Sequence, residues 1–568
     1  MIVYDWEIFM YDWLVTFKDI STNTYIDIIN NPQELKNYIN TNINKIFVGY
    51  NNKQFDDIIT AGLFSDTDPY TTMTYLMNTE NKYSAYKALQ IKQLPMISID
   101  LMQDVLGMSL KQAEGYMNMS VEECTIPFDL ERKLTDAEIK EVLKYCHHDV
   151  DATHELLKVR KGYVNAKLAL IKMFNLSISN LSKTNAGLCA TVLGANRKSR
   201  NDELQYDIVD TIKIEKPEYR KVLELYTNGP LDYDKHMKIT IGGIEHKFAY
   251  GGLHAARDNF IYEGEMWNID VTSFYPSMMI EYDFQSRNIK DRTLFKTIYN
   301  NRVKAKKEKN TLVDAALKLV LNTSYGATKS EYNGLYDPKM ANQICITGQL
   351  LFLDLLEKLE PHCRLVQTNT DGILIIPLHK TQITEIIKEW EERTRMSLEI
   401  DICKKIWQKD VNNYIMVIDK NGKEKIKTKG GYVAQYEPGL RNNARILDLA
   451  VVDYFTKGIT PEETINNATD IFLFQYITKT GRTYNKTYWQ HNGVEIEVNN
   501  VNRVYSSKNN LDGTLLKYKI GETIRKDSIA NLPPHCIVDN ANKLTINDID
   551  KTWYIKQAYK RIADFTTA

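Results

Sequence analysis

No run of about 18 apolar residues occurs in the chain, so the sequence offers no candidate for a membrane-crossing helix. Paired cysteines are also missing: the seven present (124, 146, 189, 345, 363, 403 and 536) are scattered, odd in number and never spaced C-x-x-C. That pattern argues against a disulfide framework, a zinc ribbon or an iron–sulfur cluster. Neither sign of charge is in excess, the formal net value being -1, so a polyanionic partner has to be held by local patches. The first residues, MIVYDWEIF, contain two acids and no basic leader, from which no secretory signal is expected and a cytoplasmic location is. No repeat or low-complexity tract stands out.

What the sequence does have is length. At roughly 150 residues per domain, 568 residues predict a multidomain protein with ample core. Residues 1 to 160 alternate short β-branched or aromatic runs (IVYDWEIF, WLVTF, KIFVGY, MISIDL) with helical segments, the pattern of an α/β domain. A helix-rich stretch over 160–200 leads into a strand-rich zone that ends in MWNIDVTSFYPSMMI. Residues 287–329 read as two long helices with a polar break at EKNT, an antiparallel hairpin. VQTNTDGILII then reads as a buried β-hairpin with Asp371 at its tip, and a helix, lysine-rich strands and a helical segment near 440–456 follow.

In VYDWEIF, Asp5 and Glu7 are two apart on a predicted strand and leave one face, where like charges repel unless a cation lies between them. Read alone, the pair is the polar face of an edge strand. GYNNKQFDD places Asn52, Phe55 and Asp56 after a second apolar strand. Thr135 and Glu138 form a capping box that opens a long helix, on which Tyr145 and Asp149 are one turn apart and reach the same point. In this order, D-x-E, N-x-x-F-D and Y-x-x-x-D resemble the motifs of proofreading 3′–5′ exonucleases with a ribonuclease-H-like fold. The resemblance implies that Asp5, Glu7, Asp56 and Asp149 hold two divalent ions and that Tyr145 orients the attacking water. It further implies that Ser109 and Leu110 of MSLKQAEGYM contact single-stranded DNA, and that Asn52 and Phe55 hold the unpaired 3′ end, Phe55 by stacking.

A second set of acids follows. Asp270 ends an apolar strand just before a predicted helix, which in isolation is a common N-cap arrangement. D-x-x-S-F-Y-P resembles motif A of family B DNA polymerases, and the resemblance makes Asp270 and the Val271 carbonyl metal ligands and Tyr275 the ring that excludes a ribose 2′-OH. Lys318 and Asn322 share a helical face, and with Tyr325 and Gly326 they match motif B, K-x-x-x-N-S-x-Y-G, Thr323 standing for Ser. Arg302 and Lys306 share a face of the preceding helix, so four side chains on two facing helices predict a cationic slot; the resemblance assigns Arg302, Lys306 and Lys318 to the incoming triphosphate. T-N-T-D-G occupies the place of motif C, with Asp371 as the metal-holding acid and Asn369 where the family has its first aspartate.

Lys423, Lys425, Lys427 and Lys429 alternate in KEKIKTKGGY, so a strand here carries four ammonium groups on one face, a rail for phosphates or the guarded edge of a sheet. Just before it, Tyr414 matches the family's K-x-Y element, with Asn412 in place of lysine; Tyr250, Gly251 and Gly252 are similar to its Y-x-G-G template-strand element.

The chain is thus expected to be an α/β and α+β multidomain protein, with an exonuclease domain (1–180) followed by a right-hand polymerase: palm (181–285 and 332–435), fingers (286–331), and thumb with the C-terminal region (436–568). The resemblance is to the bacteriophage type, and the short spacings from Asp270 to Lys318 and from Gly326 to Asp371 lack the insertions of the protein-primed branch. Expected ligands are two Mg²⁺ or Mn²⁺ per site, primer-template DNA and dNTPs. Other replication proteins of a phage are expected partners, with a monomeric state, no membrane and a location in the host cytoplasm. The alternatives are an exonuclease with an inactive polymerase site, which Asn369 would mark, and a non-catalytic DNA-binding scaffold.

Overall fold

Alternation of large apolar and acidic residues builds the first strand, β1 (Ile2–Ile8): Tyr4, Trp6 and Ile8 enter the core, which leaves Asp5 and Glu7 on the opposite face. β1 lies at the centre of a five-stranded sheet with β2 (Trp13–Asp19), β3 (Thr24–Ile29), β4 (Ile46–Gly49) and β5 (Ile97–Asp100), in the order β3-β2-β1-β4-β5. It runs antiparallel to β2 and parallel to β4, and Val15, Phe17 and Phe47 complete the core on its apolar side. Burying such side chains contributes about 1.5–3 kcal/mol each.

The chain is given by a computed structural model that describes all residues except 105–106, 421, 435–438, 442, 482, 520, 522–523 and 567–568. It is a mixed α/β chain of two compact units: Met1–Thr184 with Gly439–Ala444 and Thr469–Trp553, and Asn185–Pro438 with Arg445–Ala468 and Tyr554–Ala568. The C-terminal stretch read as thumb therefore divides between them. Among the described residues no helix is long and apolar enough to cross a membrane.

The second unit is organised on a seven-stranded sheet. A two-stranded ribbon, β6 (Met237–Ile241) and β7 (Ile244–Phe248), precedes β8 (Ala255–Ala256) and the long β9 (Phe260–Val271). Next come β10 (Cys363–Asn369) and β11 (Gly372–Pro377), then β12 (Leu398–Asp410), β13 (Asn413–Lys420) and β14 (Lys423–Lys429). The order is β14-β13-β12-β9-β11-β10-β8, so β14 is an edge and β9 is enclosed by β12 and β11. Two helices, Thr293–Lys307 and Thr311–Thr328, form the hairpin, and the almost wholly buried helix Pro338–Leu359 precedes β10.

In the C-terminal part of the first unit, Thr469–Trp553, a short 3-10 helix (Ile471–Phe474) precedes two small sheets. β15 (Tyr476–Lys479), β18 (Val501–Ser506) and β21 (Cys536–Val538) form one sheet. β16 (Lys486–His491), β17 (Val494–Val498), β19 (Leu515–Lys519) and β20 (Arg525–Ser528) form another, in the order β17-β16-β19-β20.

Candidate functional site

In the first unit, four carboxylates converge from three elements. Asp5 and Glu7 come from β1, Asp56 from the first turn of the helix Asp56–Phe64, and Asp149 from the helix Asp136–Val159, whose Thr135/Glu138 capping box forms as the sequence predicts. Burial raises the Asp5 carboxyl well above the carboxylate range, and the charges of Asp56, Glu7 and Asp149 raise it further. Glu7 is raised by burial and then by Asp149. Burial pushes Asp56 up to about 8 and Asp149 up to about 6, the latter against the pull of Lys111. Acids that hold one another neutral are a set that a hard cation would stabilise in the charged form. Glu7 is buried and accepts no hydrogen bond among the described residues, and oxygen atoms of Asp5 and Glu7 and Cys146 Sγ lie within 4.8 Å of one another. Burial, and then the charge of Asp149 one turn away on the same helix, raise the Tyr145 hydroxyl well above its usual range.

Of the two adjacent acids in the F-D-D sequence, only Asp56 belongs to this cluster. Asp57 instead accepts from Ser98 Oγ (2.6 Å), from Lys53 Nζ (2.8 Å) and from the Tyr4 hydroxyl. Asn52 corrects one expectation: it is fully buried, its amide donates to Asp57 (3.2 Å) and to Tyr4 (3.3 Å), and its Oδ1 is unpaired, so it supports the strand ends from inside and offers no surface to a single strand. Phe55 is partly buried against the core. Ser109 caps the helix Leu110–Tyr116 in a reciprocal capping box with Gln112, and both Ser109 and Leu110 are half-buried.

That short helix carries a residue the sequence reading passed over. Lys111 Nζ pairs with Asp149, lies 3.0 Å from Glu114 Oε1 and sits 4.4 Å from the centre of the Tyr145 ring. Its neighbour Leu110 matched a motif, but nothing in the spacing of MSLKQAEGYM aims position 111 at a helix that begins 25 or more residues later.

In the second unit, β9 and the β10–β11 hairpin bring Asp270 and Asp371 to one cleft of about 380 Å³, which His254, Asn268, Tyr275, Asn369, Thr370, Tyr414, Lys427 and Lys429 also line. The register pairs Gly372 with Asp270, and Val271 N–H donates to the Asp371 carbonyl at 2.8 Å, so the hairpin tip is docked on the end of β9. A Cβ at Gly372 would lie 2.0 Å from Asp270 Oδ1, which only glycine avoids. Asp270 is raised by burial, lowered by the Lys427 charge and by a 2.6 Å hydrogen bond from Asn268, and raised again by the Asp371 charge. After β9 the chain turns through Ser273, at φ +52, into the helix Phe274–Glu281. A non-glycine residue in the left-handed region costs about 1 kcal/mol or more, and here it aims Tyr275 at the cleft.

Tyr275 stacks on Tyr325 of the helix Thr311–Thr328, ring centres 4.3 Å apart. On the same helix Lys318, Asn322 and Gly326 are exposed, as is Lys306 on the partner helix. Arg302 Nε is 3.0 Å from Asp314 Oδ1 across the hairpin, so its charge is partly neutralised within the hairpin itself. The Tyr250-Gly251-Gly252 loop is held by Gln349 Nε2, which donates to the carbonyls of Ala249 (2.7 Å) and Gly251 (2.9 Å). Thr370 Oγ1 meets His254 Nε2 at 3.0 Å, tying that loop's end to the hairpin tip; His254 carried no sequence signal.

On β14, Lys423, Lys425 and Lys427 are exposed and Lys429 is half-buried, all at alternate positions of the edge strand. Two of them, Lys427 and Lys429, reach the cleft itself, as does Tyr414 on β13. Asn412 lies in the turn that precedes β13.

No protein-family model matches the sequence, and no curated protein does. Among solved structures, the chain is similar over its whole length to 78% of the family B DNA polymerase from the hyperthermophilic archaeon Pyrobaculum calidifontis, at 12% identity and a TM-score of 0.42. A likeness of that size decides neither fold nor activity.

Proposed function

We propose that the chain is a DNA-directed DNA polymerase of the family B kind and phage type, extending a primer from dNTPs, with a 3′–5′ proofreading exonuclease in its first unit. The observation that carries the reading is the meeting of Asp270 and Asp371, remote in sequence and each inside its own motif, in one cleft with Tyr275 and two lysines of β14. Asp270, the Val271 carbonyl and Asp371 would hold Mg²⁺ or Mn²⁺, and Asp5, Glu7, Asp56 and Asp149 would do so in the first unit; these are hard oxygen donors. Such ions, when bound, neutralise charge on the attacking and leaving oxygens of a phosphodiester.

The chain's own groups do the rest. Stacked Tyr275 and Tyr325 wall the place of the sugar. Lys306 and Lys318, exposed on the hairpin, meet the triphosphate, and Arg302 joins them on leaving Asp314. Lys423 to Lys429 hold the strand by its phosphates, with Tyr414 and the Tyr250-Gly251-Gly252 loop at the cleft's side. In the first unit, Tyr145, beside Asp149, orients water, and Phe55, Ser109 and Leu110 meet a frayed end.

The test is primer extension on a labelled primer-template with dNTPs and Mg²⁺, beside degradation of a labelled single strand. Asp371→Ala is expected to lose synthesis and keep degradation, and Asp5→Ala the reverse. No extension product from a Glu7→Ala protein, where degradation cannot mask synthesis, overturns the polymerase reading and leaves the nuclease alone.

A further inference from the structure

Asn369 stands where the family has an acid, and its surroundings give the amide a use. Its Oδ1 accepts a hydrogen bond from Lys429 Nζ at 3.2 Å. Lys429 is the innermost of the four β14 lysines, half-buried, with its ammonium 5.9 Å from the centre of the Tyr414 ring. Both Asn369 and Lys429 line the cleft of Asp270 and Asp371.

An amide oxygen fixes an ammonium in place without cancelling its charge, whereas a carboxylate at the same spot would form an ion pair with it. The neighbouring Lys427 is exposed and acts on Asp270 through its charge, with no ion pair or hydrogen bond to it among the described residues. Lys429 therefore supplies the cleft with a held cation whose partners are a neutral amide and a ring face. We propose that Asn369 is a positioning residue that holds Lys429 over the cleft with its full charge available to one phosphodiester group of the bound strand. The inference rests on the reading of the cleft as a primer-template site, and it gives the replacement of acid by amide a purpose: a stronger grip on the backbone.

The experiment is equilibrium binding of a fluorescent primer-template in chelator, where no chemistry occurs, over a range of salt concentrations. Each phosphate contact adds about 0.9 to the slope of log K against log salt for a duplex, so Asn369→Asp is expected to weaken binding and flatten the slope by about 1. Lys429→Met should do the same, and the double variant should lose no more than Lys429→Met alone. Asn369→Ser, neutral but too short to hold Lys429, should keep most of the slope, because no charge is cancelled, yet bind more weakly at every salt concentration; affinity equal to the parent's overturns the positioning role. Mn²⁺ binding, followed by electron paramagnetic resonance, should be the same in Asn369→Asp and the parent. An unchanged slope in Asn369→Asp, or tighter Mn²⁺ binding in it, overturns the inference. A parent protein that shows no salt-dependent binding of primer-template sinks the reading of the cleft as well.

Discussion

The absence of a side chain at Gly372 sets how closely the hairpin tip approaches Asp270. A methyl group there meets Asp270 Oδ1 at 2.0 Å, so Gly372→Ala must push either the carboxylate or the hairpin aside. Misplacing a reacting group by about 1 Å costs roughly 100-fold, and primer extension is expected to fall by at least that factor while single-strand degradation stays at the parent level. The acids of the first unit make a pH prediction. Asp56, pushed up to about 8, and Asp149, pushed up to about 6, keep protons in the folded state that the unfolded chain, with carboxyls near 3.8, has released. Folding therefore takes up protons; the stability this adds is complete below pH 4 and is lost as pH climbs through 6 to 8. Thermal melting in chelator should show the first unit less stable at pH 8.5 than at 5.5, and Mg²⁺ should flatten that dependence by taking the protons' place.

Among the elements, the helical hairpin holds its own brake. Arg302 on one helix pairs with Asp314 on the other, with both side chains less than a third exposed. If the guanidinium has to leave Asp314 to reach a triphosphate, Asp314→Asn should lower KM for dNTP. The pair is part-exposed and worth about 1 kcal/mol or less, so the gain should not exceed about 5-fold. Steady-state kinetics at fixed primer-template measures it, and a raised KM would instead make Asp314 a support that keeps the arginine in place. The short helix Leu110–Tyr116 shows the same economy: one turn of capped chain delivers Lys111 to Asp149 and closes the acid cluster.

At the scale of the molecule, the first unit is assembled from segments far apart in the chain, and Arg503 joins them. Fully buried, it donates to Gln475 Oε1 (2.8 Å), to Asn542 Oδ1, and to the carbonyls of Gly115 (2.9 Å) and Met119 (2.8 Å), all neutral acceptors. The Lys111 helix thus ends on a contact 388 positions away. Arg503→Met should leave Gln475 Oε1 and the Met119 carbonyl without their donor at about 1–3 kcal/mol each, whereas the Gly115 carbonyl keeps the Asn118 N–H at 3.1 Å. The first unit should then melt lower by ~2–4 °C per kcal/mol, and degradation should be lost while synthesis continues, which calorimetry and the two activity assays would read separately. Local features were legible beforehand because they rest on local rules: the period of two that sets Asp5 and Glu7 on one face, the capping box at Thr135, the polar break in the hairpin, and the turn that lifts Asp371 to its tip. The tertiary structure alone decided that Asn52 is buried, that Lys111 pairs with Asp149, that Arg302 is paired and that Lys429 rests on Asn369. It also decided that residues 469–553 complete the first unit. Each of these is a contact between side chains distant along the chain, and neither helical nor strand periodicity carries information about which remote partner a buried or charged group will meet.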